Sequence, residues 1–354
     1  MFLFALLMLS TGCYQVVHGD VANYKSCGTD KQCVPYELCG EGLWLDGQFY
    51  ADRSRTLLDE QHCHYMEKCC GVQQTLATAK SLNYSTTSSC GECLDEWLHL
   101  RPLGYKQLES KFAEFPWLVA IYGSHGYLCS GALIATLAVL TAAHCVQEES
   151  RETLHLVAGE WDAAVQLEPL PHQTRNVAEL LLHPNYTQQP AAHNLALLLL
   201  PQEQPFELAP HIQLICMPPP HYSYNYSQCY VAGWRRQDFA CNVTLPQRAP
   251  LYVLPRDQCA AKLRLAILGR RFALNDTLLC AGGDKLQFLC HDLGAIPLMC
   301  PGKHERFMLA GLMARAVRCD GPQMLSIYSN IQYYRPWIDQ KLRERDLDIR
   351  PYML

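Results

Sequence analysis

The chain has 354 residues, a formal net charge of −5, and apolar and charged fractions of 49% and 18%. That length suits about two domains, and the composition is that of a chain that buries a globular core. No Lys/Arg run stands out, so a nucleic-acid partner is not expected.

The sequence opens with MFLFALLMLS, an apolar run too short to span a bilayer. Small residues follow, with Val17 and Gly19 placed for cleavage before Asp20. Residues 1–19 therefore read as a signal peptide, although the charged n-region is missing; a buried N-terminal helix is the alternative. LSTGC, ending at Cys13, is only a faint match to a lipid-attachment box, and no later stretch suits a transmembrane anchor. Of the 19 cysteines, an even number remains once Cys13 leaves with the signal, which in a secreted chain implies a disulfide framework. Sequons at Asn83, Asn185, Asn225, Asn242 and Asn275 fit a secreted, extracellular glycoprotein.

Residues 20–70 hold a framework of six cysteines, Cys27, Cys33, Cys39, Cys63, Cys69 and Cys70. The segment is too small to rely on an apolar core, so bridges would hold it. Spacing alone leaves their connectivity open. Residues 71–109 read as a linker, polar and Ser/Thr-rich at its start. Within it Cys90 and Cys93 form a C-x2-C pair. Redox chemistry or half a zinc site is the alternative to structural bridges there, but no second C-x2-C exists and the compartment is oxidising. No cofactor or metal is expected. From Phe115 onward, short apolar and β-branched runs alternate with turn signals, as in WLVAIYG, AVLTAAHCV and CYVAGW. This reads as all-β, a sandwich or barrel. Tyr334 to Arg345 carries Trp337, Ile338 and Leu342 at helical spacing, which predicts an amphipathic C-terminal helix. The tail within 341–354 is expected to fray.

The C-x5-C-x5-C opening and C-x5-C-C ending resemble the clip domain of arthropod secreted proteases. That resemblance implies the pairs Cys27–Cys69, Cys33–Cys63 and Cys39–Cys70. EFPWLVAIY, CSGALI, LTAAHC, CYVAGW, LLCAGG and PWI, in this order over about residues 110–340, resemble the landmarks of chymotrypsin-like serine proteases. The implied fold is two six-stranded antiparallel barrels with the active site between them and a C-terminal helix. The implied bridges are Cys129–Cys145, Cys229–Cys300, Cys259–Cys280 and Cys290–Cys319. Cys90, Cys93, Cys216 and Cys241 remain. The family's linker tether falls at Cys216, so Cys90 or Cys93 is expected to pair with Cys216 and the other with Cys241.

A protease of this kind needs a Ser nucleophile, a His base and a buried Asp that orients the His. His144 stands at the His position, but Asn194 replaces Asp and Gly294 replaces Ser within FLCHDLGAIPLMC. An Asp-to-Asn change of this kind lowers turnover by about 10⁴-fold. Asp292 takes the place of the oxyanion-hole Gly, where its carboxylate would repel a developing oxyanion. Leu293 takes the place of the Asp that receives a freed N-terminus, and no R-I-V-G-G sequence precedes Phe115. Phe288, Ala314, Arg315, Ala316 and Ser326 fall at the former specificity pocket. Each of these also has a plain structural reading: a packed remnant for His144, core filling for Phe288, a solvated side chain for Asp292 or Arg315.

The pattern resembles the masquerade-like, non-catalytic homologues that carry a clip domain, though it departs from them in losing both Asp positions. That resemblance implies a pseudoprotease that binds extracellular proteases, zymogens or other homologues, as cofactor or regulator of a cascade in innate immunity, melanisation or development. The alternatives are an adhesion or pattern-recognition protein on matrix or microbial surfaces and a residual hydrolase. Arg53, Arg55, Lys80 and Lys106 offer sites for activating cleavage.

Overall fold

The computed structural model describes residues 25–35, 50–52, 63, 67–72, 89–93, 101–103, 108–163, 170–188, 192–234, 245–265, 272–283, 294–303, 306–318 and 324–353. The expectations on residues 1–19, Cys39, Asn83, Cys241, Asn242, Phe288, Cys290, Asp292, Leu293 and Cys319, and on Arg53, Arg55, Lys80 and Lys106, lie outside these residues.

The N-terminal region contributes strands β1 (Ser26–Gly28), β2 (Lys31–Pro35), β3 (Tyr50–Asp52), β4 (Glu67–Gly71) and β5 (Arg101–Leu103). β1, β2 and β4 form one antiparallel sheet, with Cys33 opposite Cys69 in register. β3 pairs in parallel with β5. Cys27 is bonded to Cys69 and Cys33 to Cys63, and Cys70 is disulfide-bonded as well. Three short strands bury little apolar surface, so the bridges, at about 2–4 kcal/mol each, carry much of this region's stability.

The first barrel is built from β6 (Leu118–Gly123), β7 (Gly126–Ala135), β8 (Ala138–Thr141), β9 (His155–Ala158), β10 (Gln173–Asn176), β11 (Glu179–Leu182) and β12 (Ala196–Leu199). Their order is β10-β9-β6-β7-β8-β12-β11. The count is seven against the expected six because one bent segment is divided. Val177 donates its N–H to Leu154 at 3.3 Å, on the β9 side, and Ala178 donates to Leu199 at 2.8 Å, on the β12 side. The bend thus hands the chain from one edge of the sheet to the other, and β10 and β11 close the circuit covalently.

The second barrel, closed by hydrogen bonds, runs β13-β14-β15-β18-β17-β16. Its strands are β13 (Gln228–Gly233), β14 (Gln247–Val253), β15 (Leu278–Gly283), β16 (Pro297–Pro301), β17 (Phe307–Arg318) and β18 (Met324–Asn330). Alternation along β14 buries Gln247, Ala249, Leu251 and Val253 and leaves Pro250 and Tyr252 exposed, the period-two signature of a half-buried strand. Trp117, just before β6, aims its indole N–H at Met299 Sδ on β16, 2.8 Å away, so the two barrels share one core.

Among the described residues, three α-helices complete the fold: α1 (Ala143–Val146), α2 (Arg256–Leu263) and α3 (Ile331–Arg343). α3 buries Ile331, Tyr334, Ile338 and Leu342 on one stripe. It begins three residues before the expected Tyr334, because packing of Ile331 and Tyr334 carries the helix through Pro336, which removes one backbone donor. The tail after α3 is docked, which corrects the expectation that it frays. Tyr352 is fully buried, donates its O–H to Asp339 Oδ1 at 2.6 Å, and lies under the Arg335 guanidinium at 4.9 Å. Met217 N–H donates to its carbonyl at 2.9 Å.

The linker is fastened to the second barrel by Cys90–Cys216. Gly91 N–H donates to Leu214 O, and Phe307 N–H donates to Gly91 O, both at 2.7 Å. Gly91 has φ +72°, and a Cβ there would fall 2.3 Å from Phe307 O, so only glycine fits this approach. Cys93 carries a free thiol, which corrects the expectation that both cysteines of the pair are bonded. The residue is exposed, but its Sγ lies 3.4 Å from Glu114 O. Desolvation there, aided by the Glu114 carboxylate, pushes the thiol up to about 12.

Candidate active site

Three positions from the two barrels converge. β8 ends at Thr141, Ala142 is extended, and the single turn of α1 presents His144. The neighbouring Cys145 is bonded to Cys129 on β7. Asn194 lies two residues before β12, 2% exposed, and its carbonyl accepts the Ser329 hydroxyl at 2.9 Å. Gly294 lies just before β16, and its carbonyl accepts Ser130 N–H at 3.3 Å.

The contact between Asn194 and His144 fixes the imidazole's protonation. His144 backbone N–H donates to Asn194 Oδ1 at 2.9 Å. A backbone amide can only donate, so the oxygen of the side-chain amide is assigned and the nitrogen must face the ring. Asn194 Nδ2 is 2.8 Å from His144 Nδ1. An amide N–H donates, so Nδ1 accepts, and the neutral ring carries its proton on Nε2. General-base catalysis requires the opposite tautomer, with Nε2 open to take the nucleophile's proton. Here Nε2 lies 3.6 Å from the bonded sulfur of Cys145. His144 is exposed as a residue, yet desolvation of its ring lowers its pKa. A ring donating to the amide would resist that shift, but this amide presents a donor.

At Gly294 there is neither a nucleophile nor room for one. An ideal Cβ there would fall 1.8 Å from Cys129 Sγ, 2.9 Å from Cys129 Cβ and 3.0 Å from Cys145 Sγ. Both sulfurs are tied in one bond and cannot swing aside as a free side chain would. Ala295 follows with φ +48°, a left-handed conformation that disfavours a side chain. The donor atoms of Cys129, His144 and Cys145 lie within 4.8 Å of one another. The two sulfurs are a disulfide, not the thiolates a metal needs, so this trio is no metal site while the bond stands.

At the positions where the resemblance implies a former specificity pocket, Ala314 and Ala316 are half-buried and Arg315 is exposed. Ala316 on β17 lies opposite Ser326 on β18. Ser326 is fully buried; its hydroxyl reaches Ala281 O at 3.3 Å and Tyr328 Oη at 3.1 Å. Tyr328 was not singled out by the sequence, although its place two residues after Ser326 puts it on the same strand face. Ser329 was also missed, because its hydroxyl reaches Asn194 across 135 positions of chain. Among the bridges, Cys229–Cys300 and Cys259–Cys280 hold the second barrel. Asn185, Asn225 and Asn275 are all exposed.

The trypsin family profile matches residues 106–338. The chain is 31% identical over 284 residues to phenoloxidase-activating factor 2 of Galleria mellonella, covering 75% of this chain and 92% of that protein. It is 28% identical over 344 residues to an inactive CLIP domain-containing serine protease of Anopheles gambiae, covering 89% and 90% of the two chains. A similar inactive CLIP domain-containing serine protease of Aedes aegypti is 31% identical over 236 residues, 65% of this chain and 49% of that one.

Proposed function

We propose that this chain, which belongs to the trypsin family, is a secreted and catalytically silent member that acts by binding. Its partners are extracellular proteases, their zymogens or other protease homologues, and it serves as cofactor or regulator of a clip-protease cascade. Relatives named as inactive clip-domain proteases and as a phenoloxidase-activating factor support a cascade role. The observation that carries the reading is the Asn194 amide donating to His144 Nδ1 beside a glycine packed on a disulfide. That arrangement withholds both the base and the nucleophile, while the surrounding disulfide-bonded framework keeps a large, rigid surface for recognition.

The test has two parts. The purified, secreted protein is exposed to a fluorophosphonate probe and to peptide substrates, and no labelling or turnover is expected. It is then added to an active clip protease acting on a phenoloxidase zymogen, where it changes the rate or the product. Turnover that disappears in His144→Ala sinks the claim of silence. No effect on any cascade step, with glycans or matrix as the sole ligands retrieved, sinks the regulatory role in favour of adhesion.

A further inference from the structure

A cavity of about 330 Å³ opens on the second barrel, lined by residues 222–225, the start of α2, and Asn330 and Gln332 where β18 meets α3. Two features define its chemistry. Tyr222 and Tyr224 lie with ring centroids 4.9 Å apart, and Leu274 and Leu278 add apolar wall. Tyr224 is 94% buried (6% exposed), and its hydroxyl has no hydrogen-bond partner among the described residues. The wall's amide and guanidinium donors are largely committed. Gln332 Nε2 donates to Pro219 O at 2.9 Å, Asn330 Nδ2 to Asp276 O at 2.9 Å, and Arg256 reaches Leu274 O at 2.8 Å and Asp276 at 2.9 Å. What remains is a mixed set: the acceptors Gln332 Oε1, Asn330 Oδ1 and the Asp257 carboxylate, the Ser223 hydroxyl, which accepts Asn225 N–H and keeps its own proton to donate, and the backbone N–H groups of the uncapped first turn of α2.

An anion would face those acceptors and a carboxylate, and a purely apolar ligand would leave them unpaired. A ligand whose hydroxyls both donate and accept, with a C–H face for the half-buried Tyr222 ring, answers both halves of the wall. We propose that this cavity is a saccharide-binding site. Asn225, exposed on the wall and heading the sequon Asn225-Tyr226-Ser227, places one source of sugar at the mouth. A glycan on Asn225 and a free glycan share the chemistry, and the site is independent of whether the protease centre is silent.

The experiment titrates N,N′-diacetylchitobiose, followed by saturation-transfer NMR, into the secreted protein and its Asn225→Gln variant. Tyr222→Ala and Asp257→Asn are made in the Asn225→Gln background, with thermal midpoints measured to verify folding. The Asn225→Gln protein binds the disaccharide, and each further change weakens binding about tenfold or more. Binding by Asn225→Gln but not by the glycosylated parent identifies the tethered glycan as occupant; equal binding by both identifies a site for external glycans. No binding by Asn225→Gln, or binding unaltered by Tyr222→Ala and Asp257→Asn, overturns the proposal.

Discussion

At the scale of single residues, the protonation of His144 is the point on which the chemistry turns. Because Asn194 Oδ1 is held by a backbone N–H, the amide cannot flip to offer its oxygen to the ring without losing that bond. Nitrogen-15 shifts of the imidazole are therefore expected to report a protonated Nε2 in the native protein. Asn194→Asp replaces the donor by a carboxylate, which moves the proton to Nδ1 and raises the pKa of His144. An unchanged tautomer in that variant would contradict the geometry. Gly294→Ser tests the other half. The new Cβ meets a cross-linked sulfur, so overpacking is expected to cost about 1–3 kcal/mol in chemical denaturation. Gly294→Ser combined with Asn194→Asp is expected to stay unlabelled by a fluorophosphonate, since the displaced serine has no place to stand. That Asn194 and Gly294 stand where the resemblance expects Asp and Ser was legible in the sequence, because LTAAHC and the cysteines of FLCHDLGAIPLMC set the alignment. The tautomer and the clash were not, because each depends on which atom faces which across 50 or more positions of chain.

Between elements, much of the architecture was readable and the joints were not. Alternating burial and turn residues announce strands such as β14, but no local signal says that Val177 and Ala178 divide one segment between two partners. Similarly, Pro336 and a charged tail argue against the full α3 and a docked C-terminus, and only the tertiary contacts of Ile331 and Tyr352 overrule them. The junction of α3 with the first barrel carries a pH dependence. His183 stacks on His193 with centroids 5.0 Å apart and packs against Tyr334 and Trp337 of α3. Its Nδ1 accepts Asn185 N–H at 3.2 Å, while His193 Nδ1 contacts Tyr334 Oη at 3.3 Å. Burial, then the neighbouring His193, lowers the His183 pKa from 6.5 to about 4. Above pH 6.5 both folded and unfolded chains hold this ring neutral, and the packing has its full strength. As pH falls from about 6.5 toward about 4, the unfolded chain binds a proton that the folded chain refuses, so stability declines; below that the slope ends. With allowance for solvent screening the loss is about 1–2 kcal/mol. Equilibrium unfolding across that range should show this slope, and His183→Gln should flatten it; a profile unaltered by the substitution would remove His183 as its source.

For the whole molecule, the disulfide map decides how a proteolytic cut would be felt. Cys27–Cys69 and Cys33–Cys63 stay within the N-terminal region, whereas Cys90–Cys216 joins the linker to the junction between the barrels. Cys93, the other cysteine of the pair, is free. A cut at Lys80 therefore severs every described covalent path between the N-terminal sheet and the barrels, and the two pieces separate on a non-reducing gel. A cut at Lys106 leaves the piece ending there bonded through Cys90 to Cys216, so the product separates only after reduction. Cuts at Arg53 or Arg55 fall between Cys33 and Cys63 and open a loop that the two N-terminal bridges still span; these too need reductant to release a fragment. Comparing gels with and without reductant thus distinguishes a cut at Lys80 from the other three sites in a single measurement. Cys216→Ser sharpens the comparison. It is expected to free the Lys106 product without reductant and, by loosening a loop of 126 residues, to lower stability by about 2–5 kcal/mol. If the Lys106 product already separates in the native protein without reductant, the tether is not formed in the molecule in solution. The linker would then leave the barrels on cleavage and take the N-terminal sheet with it.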